Sequence, residues 1–186
     1  LKGEPSSYRL FRRLIEKRFT PSESKRSEHV ELMVPFLFQA CSSSVARTFA
    51  IAFFDVNCAL FSCPREDHIE QVESLLEGCE SKWFEDDLTR SERELIQQLP
   101  HRYQEAIRIC RSLSHDTSNE DFSPPNFFIS IQDFADRLGT YKEEGRRILD
   151  TFKVEGILRV VSLGAMGEKG QHGKATTYAY EAPAEP

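Results

Sequence analysis

The sequence lacks an apolar run long enough to cross a membrane. A spanning helix needs about 20 predominantly apolar residues, and the longest apolar region, residues 30–61, is interrupted by Glu31, Arg47 and Asp55. The start of the chain also lacks the charged, apolar and small-residue series that directs secretion, although it opens on Leu1 rather than on a methionine. We therefore expect a cytoplasmic protein that does not bind membranes.

The cysteines are scattered along the chain, which argues against a disulfide framework. The five cysteines are an odd number separated by long gaps, a pattern typical of reduced thiols packed in a core. A structural zinc site needs clustered ligands such as paired Cys-x-x-Cys, and the five histidines are equally dispersed. We predict no structural metal and no cofactor.

The sequence also lacks the motifs that mark common enzyme sites. It has no glycine-rich phosphate loop, no nucleophile elbow and no pair of metal-binding carboxylates. The acidic cluster from Glu85 to Asp87 lies next to Trp83 and is interpreted as an exposed turn rather than a magnesium site. We therefore expect a non-enzymatic protein.

The net charge of −6 is distributed unevenly along the chain. Residues 1–28 carry eight Lys or Arg against four Asp or Glu, residues 29–126 carry eight against seventeen, and residues 127–186 carry eight against nine. Phosphate binding needs positive charge that faces the nucleic-acid backbone. This balance excludes wrapping of nucleic acid by the whole surface, so any DNA contact must be local.

Helical periodicity dominates the first hundred residues. Helices are predicted over residues 30–39, 44–60 and 67–77. Gly78 is predicted to end the third of these, because glycine tolerates the left-handed conformation found after many helices. Thr89 or Ser91 can cap a further helix, and Thr89 lies three residues before Glu92, the spacing of a capping box. Pro100 predicts a break after that helix.

Residues 7–19 form a basic amphipathic helix in this interpretation. Its arginines and lysines surround an apolar stripe formed by Leu10, Phe11, Leu14 and Ile15. The basic face admits three functions: a second surface that contacts DNA, a surface that binds acidic lipid or a partner, or a solvated face that covers the apolar stripe.

The pattern changes after a polar, proline-containing loop over residues 114–125. Residues 127–129 form a short strand-like run, and Ser130 can cap a helix that ends at Gly139. Thr140 can cap a second helix, which Gly156 ends. The inward face of that helix is predicted to contain Gly145, Ile148, Leu149 and Phe152.

Two strands with a glycine-rich tip between them close this segment. Residues 157–163 alternate in hydropathy, the run GAMGEKGQHGK follows, and residues 175–181 return as a second alternating strand. The order is therefore helix, helix and antiparallel β-hairpin.

The segment SIQDFADRLGTYKEEGRRILDTFKVEGILRVV resembles the winged helix-turn-helix of many bacterial regulators. The resemblance covers about a third of the chain, and residues 103–181 if the helix predicted over residues 103–113 is the first helix of the domain. More loosely, the chain is similar to uncharacterised plasmid, phage and bacterial proteins associated with replication that have a helical N-terminal half. The resemblance implies binding to double-stranded DNA, in replication or in transcription control.

The resemblance also implies which residues would contact DNA. The second helix of the motif enters the major groove and the hairpin reaches nearby phosphates. The candidate DNA-binding residues are Tyr141, Lys142, Arg146, Arg147, Lys169, His172 and Lys174. Glu143 and Glu144 depart from the expected pattern, because they suit the helix dipole but repel phosphate.

The sequence thus predicts a mainly α (α+β) protein. Residues 1–100 form a helical bundle, residues 101–182 form the winged helix, and residues 183–186 form a disordered tail. The helical half would serve as a homodimer or protein-partner surface. Two alternatives remain: a module whose winged helix binds a protein rather than DNA, and an accessory domain of a larger replication protein.

Overall fold

The computed structural model describes residues 6–16, 18–19, 21, 26–115, 125–164, 175–181 and 183. Over these residues the chain forms eight α-helices and a three-stranded antiparallel sheet, which confirms the mainly helical, α+β class. The elements are α1 (Ser6–Phe11), α2 (Arg26–Ala40), α3 (Ser43–Asn57), α4 (Arg65–Lys82), α5 (Arg90–Gln97), α6 (His101–His115), β1 (Asn126–Ile129), α7 (Ile131–Leu138), α8 (Lys142–Val154), β2 (Leu158–Ser162) and β3 (Thr176–Tyr180).

The chain divides into two compact units, Leu1–Leu88 and Thr89–Pro186. The sequence predicted a division after residue 100, twelve residues later. The difference arises from α5, whose side chains bond to other elements of the second unit.

The first unit is held together by the apolar faces of α1 to α4. The stripe predicted from the sequence is buried, because Leu10 and Phe11 of α1 are less than 9% exposed, as are Leu14 and Ile15 of the π-helical turn that follows, Arg12–Glu16. Phe11 meets Phe49 of α3 edge to ring at a centroid distance of 5.4 Å, a favourable aromatic geometry. Arg9, Arg12 and Arg13 face outward, as expected for an amphipathic helix.

Helix α4 corrects one prediction of the sequence. It runs past Gly78 to Lys82 and continues through a π-helical turn, Trp83–Asp87. A helix-interior glycine costs about 1 kcal/mol relative to alanine. Cys79 and Trp83 pack against the core of the first unit, and this packing carries the helix beyond the glycine.

A buried histidine links three helices of the first unit. The Arg26 guanidinium lies 3.1 Å from Nδ1 of His68, and Nε2 lies 3.0 Å from the carbonyl oxygen of Ala50. An arginine can only donate, so Nδ1 accepts and Nε2 carries the proton that is donated to Ala50. The ring stacks on Phe54 at 4.6 Å. His68 is therefore a neutral core histidine with a fixed tautomer.

A buried carboxylate organises the second unit. The predicted capping box is confirmed, since Thr89 and Glu92 exchange side-chain and backbone hydrogen bonds at 2.9 and 3.2 Å. The Glu92 carboxylate also accepts from the Tyr180 hydroxyl of β3 and from Arg111 of α6, both at 3.0 Å. These bonds join α5 to α6 and β3, which is why residues 89–100 belong to the second unit.

The sheet has the order β1-β3-β2, with both pairings antiparallel. The predicted strands β2 and β3 pair, and β1 adds to the other edge of β3 so that Phe127 lies opposite Tyr178. A bulge interrupts β2 between Val160 and Ser162. The inner face of this sheet, which includes Phe127, Tyr178 and Tyr180, is buried.

Candidate nucleic-acid interface

Helices α7 and α8 are joined by a short, defined turn. Ser130 begins α7 as predicted, since its hydroxyl accepts from the Asp133 amide at 3.0 Å. Gly139 ends α7 in the left-handed conformation (φ 67°), which glycine adopts without steric cost. The next amide, that of Thr140, donates to the Ala135 carbonyl at 2.9 Å. The turn therefore fixes the direction in which α8 leaves α7.

The inward face of α8 contains the residues predicted for it. Ile148, Leu149 and Phe152 are at most 2% exposed. Gly145 is also buried, and a Cβ atom there would lie 3.0 Å from the Cβ of Ala135 in α7. Phe152 meets the ring of Tyr103 in α6 at 5.9 Å. Helix α8 is thus packed on α6 and α7 along one side, and its other side faces outward.

The start of α8 differs from the sequence prediction. The N-cap position is Tyr141, which makes no side-chain capping bond, so the predicted cap at Thr140 is wrong. The Thr140 hydroxyl instead donates to the Glu144 carboxylate in a short hydrogen bond. Arg102 of α6 donates to both groups, at 3.2 Å to Thr140 and 3.0 Å to Glu144.

These contacts account for the electrostatics of Glu144. The hydrogen bond from Thr140 holds the pKa of the Glu144 carboxyl below its usual value, and the positive charges of Arg102 and Arg147 act in the same direction. Arg147 lies 3.7 Å away on the same helix. Glu144 is therefore ionised, but the neighbouring positive charges of Arg102 and Arg147 offset its negative charge. It repels phosphate less than the sequence alone suggested.

The outward side of α8 forms a groove of about 480 Å³. The groove is lined by Glu143, Arg146, Arg147, Asp150, Thr151, Val154 and Glu155. Three carboxylates and two guanidinium groups line it, so its charge is close to balanced. Some of these charges are engaged already: Arg147 pairs with Glu144, and Lys153 pairs with Asp150.

The structure brings four predicted site residues to this outward side. Tyr141, Lys142, Arg146 and Arg147 are all exposed. The side chains of Lys142 and Arg146 form no ion pair with any residue the structure describes. The other three predicted residues, Lys169, His172 and Lys174, lie outside the described residues. The free positive charge on α8 is thus concentrated at its N-terminal half.

Two features of this surface were missed in the sequence. Arg102 lies 42 residues before Glu144, and no local pattern indicates their contact. Val154 is 83% exposed at the C-terminal end of α8. A single apolar residue outside the buried face forms no helical pattern, so the sequence did not indicate its exposure. Tyr141, at the near end, is 82% exposed.

The C-terminal end of α8 is fixed by a second left-handed glycine. Gly156 has φ 73°, and the next amide, that of Ile157, donates to the Phe152 carbonyl at 2.9 Å. The strand β2 begins directly afterwards. Its Arg159 pairs with Glu181 at 2.7 Å, so the charge of Arg159 is compensated within the sheet.

Two other kinds of site find no support among the described residues. Among the described residues, no group of three or more His, Cys, Asp or Glu side chains is arranged to hold a metal ion. None of the described helices combines the length and apolar character needed to cross a bilayer. Comparisons with protein-family models, with curated proteins and with solved structures gave no match.

Proposed function

We propose that the second unit is a winged helix-turn-helix domain that binds double-stranded DNA, with α8 in the major groove. The observation that carries the proposal is the placement of Lys142 and Arg146. Both are exposed and free of ion pairs within the described residues, on the side of α8 opposite its packed face. A helix that is buttressed on one side and presents unpaired cations on the other can dock in the major groove.

The order of elements supports the same proposal. Helix α6, strand β1, helices α7 and α8, and strands β2 and β3 follow one another, and β1 pairs with β3. This is the order implied by the resemblance of the sequence to winged helix-turn-helix regulators. In this proposal α8 is the recognition helix and the segment between β2 and β3 is the wing, with Lys169, His172 and Lys174 on the wing.

The roles of the groove residues follow from their chemistry. Arg146 lies at the centre of the exposed face, where a guanidinium can bond to guanine O6 and N7 or to phosphate. Lys142 and Arg147 contact phosphates, and Tyr141 contacts the backbone beside them. Within this proposal the protein is cytoplasmic and acts in replication or transcription control, and the first unit provides the dimer or partner surface.

Duplex binding tests the proposal directly. Fluorescence anisotropy of the full chain with a labelled random-sequence duplex at low salt should show binding that weakens when Lys142 and Arg146 are both replaced by alanine. Arg90→Ala is the matched control, because Arg90 is an exposed α5 arginine already paired with Glu94 at 3.0 Å. Absence of binding to any duplex, or equal weakening by the control, would contradict the proposal.

A second candidate function is protein recognition by the same face of α8. It is favoured by the exposed Tyr141 and Val154 and by the balanced charge of the groove that Val154 lines. The charges of Lys142 and Arg146, unpaired within the described residues, favour DNA as the partner. The exposed side chains of Tyr141 and Val154, at the two ends of α8, favour a protein. Val154→Ser separates the two, because it should leave duplex affinity unchanged and weaken only a protein contact.

A further inference from the structure

The N-terminal turn of α8 is attached to α6 by a cluster of three polar side chains. Arg102 reaches Thr140 and Glu144 through the same nitrogen, Nη1, at 3.2 and 3.0 Å. Thr140 and Glu144 are also hydrogen-bonded to each other. The cluster therefore ties three parts of the second unit together: the start of α6, the turn after α7, and the first turn of α8.

The location of the cluster makes it important for the start of α8. Tyr141 gives no side-chain capping bond, although the first amides of a helix need acceptors. The turn formed by Gly139 and Thr140 is held to α7 by the Thr140 amide, which donates to the Ala135 carbonyl. Without the cluster, this backbone bond and the packing that begins at Gly145 would hold the first turn of α8, with no side-chain capping bond to support them.

The residues that this turn carries are those on which the proposed function depends. Lys142 lies in the first turn, and Arg146 lies two residues after Glu144 on the outward side. A small rotation of the turn would move both cations relative to the packed face. Binding groups must be held in their productive geometry by supporting side chains, or affinity is lost.

We propose that Arg102, Thr140 and Glu144 form a positioning cluster that orients the first turn of α8 for docking on DNA. The inference rests on the proposed DNA-binding function and deepens it. Glu144 acts through the placement of its neighbours and does not itself contact DNA. Its carboxylate opposes phosphate on charge alone, but it anchors the first turn of the helix to α6.

The adjacent acid provides a matched control. Glu143 is exposed, and its side chain forms no ion pair with any residue in the described part of the chain. Replacing either acid by glutamine removes one negative charge from nearly the same place. Charge alone therefore predicts tighter DNA binding for both variants, whereas the cluster predicts opposite outcomes.

The test compares the wild-type full chain with Glu143→Gln and Glu144→Gln on one labelled duplex. Glu143→Gln should bind about twofold to fivefold more tightly, as expected for the loss of one repulsive surface charge. Glu144→Gln should bind more weakly than the wild type. Arg102→Lys should bind more tightly than Arg102→Ala, because an ammonium can still donate to Thr140 and Glu144.

A measurement without DNA separates the two proposals. Amide hydrogen exchange in the first turn of α8 should accelerate in Glu144→Gln and Arg102→Ala, while the amides of Ile148 and Leu149 stay protected. Tighter binding by Glu144→Gln, or unchanged exchange, would overturn the positioning role even if the wild type binds DNA. A wild-type chain that binds no duplex, with exchange changed as expected, would overturn the DNA function and leave the cluster as a structural bond network only.

Discussion

Gly145 of α8 and Ala135 of α7 approach so closely that even a methyl group on Gly145 would require one of the helices to shift. A Cβ atom on Gly145 would lie 3.0 Å from the Cβ of Ala135 and 3.3 Å from its Cα. Both Ala135 atoms are fixed by the backbone of α7, so they cannot rotate away. The pair therefore sets the distance between the two helices and, with it, how far the outward side of α8 projects.

The first prediction compares Gly145→Ala with Gly78→Ala. Crowding against Ala135 should destabilise the second unit by about 1 to 3 kcal/mol, offset in part by the gain of about 1 kcal/mol in helix propensity. Nothing lies within 4 Å of a Cβ at Gly78, inside α4. Gly78→Ala should therefore stabilise the first unit by roughly 0.4 to 1 kcal/mol.

Different probes follow the two units. The single tryptophan, Trp83, reports urea unfolding of the first unit by fluorescence. Exchange of the Ile148 amide reports opening of the second. Slower exchange of the Ile148 amide in Gly145→Ala than in the wild type would show that α7 and α8 accommodate the added methyl group at little cost. That result would contradict the predicted crowding.

The second prediction concerns the carboxylate that joins α5, α6 and β3. Glu92 is 2% exposed and bonds to Arg111 and Tyr180. Glu92→Ala removes the carboxylate to which Arg111 and Tyr180 both bond and should destabilise the second unit by about 3 to 5 kcal/mol. Tyr180→Phe removes one bond to a charged group and should cost about 1.5 to 3 kcal/mol.

The same carboxylate gives a pH dependence. Burial alone raises the pKa of Glu92, but the hydrogen bond from the Thr89 amide and the charge of Arg111 outweigh it, so the pKa lies below its usual value. The stabilisation is therefore present above the unfolded value of about 4.5 and is lost as pH falls below it. Amide exchange of β3 at pH 6 and pH 4 should show this loss in the wild type and a smaller one in Glu92→Gln. An equal loss in both would assign the effect to other carboxylates.

The third prediction is that His68 makes the first unit sensitive to mild acid. Burial lowers the pKa of His68, and the nearby Arg26 and Arg65 lower it further, while the bond to the Ala50 carbonyl and the charge of Asp55 oppose them. The unfolded chain therefore takes up a proton near pH 6.5 that the folded unit does not. Stability should be full above that pH and fall as pH drops through it, by up to about 1.4 kcal/mol per pH unit.

Urea midpoints followed by Trp83 fluorescence between pH 7.5 and 5.5 would measure this fall. His68→Gln should be less stable than the wild type at pH 7.5, because the stacking on Phe54 is lost. Its stability should change little across the same range. A fall as steep in the variant as in the wild type would remove His68 as the cause.

The fourth prediction concerns the salt dependence of DNA binding. Each phosphate contact adds about 0.9 to the slope of log affinity against log salt. Lys142→Ala should therefore reduce that slope by about one. Arg159→Ala should leave it nearly unchanged, because Arg159 is paired with Glu181. Equal slopes for Lys142→Ala and the wild type would place Lys142 away from phosphate.

Local chemistry made much of the second unit predictable. The buried face of α8 and the ends of α7 and α8 at Gly139 and Gly156 follow from helical spacing and from the conformations glycine allows. Thr140 was assigned to the wrong role: as an N-cap its hydroxyl would accept from a backbone amide, but in the structure it donates to the Glu144 carboxylate. Hydrogen bonds to a charged acceptor are stronger than those between neutral groups.

Contacts between distant residues could not be predicted in the same way. Arg102 and Glu144, or Glu92 and Tyr180, are separated by 42 and 88 residues, and nothing in either segment specifies the other. The prediction that α4 ends at Gly78 was wrong for a related reason. Packing of Cys79 and Trp83 against the core outweighed the local preference of glycine to end a helix. Among the contacts of Glu144, the one with Arg102 belongs to this non-local class, whereas those with Thr140 and Arg147 lie within four residues.

Gly139 and Gly156, the two left-handed glycines before and after α8, limit the length of that helix. This length also limits how many base pairs one copy of the chain could recognise. A helix of 13 residues is about 20 Å long, which equals roughly six base-pair steps of 3.4 Å. A target of about six base pairs recurs by chance roughly once in four thousand positions, far too often to be unique among the 10⁶ to 10⁹ competing sites of a genome. In the proposed binding mode, recognition of a unique genomic site therefore requires a second DNA-contacting element, supplied by the wing or by another copy of the chain.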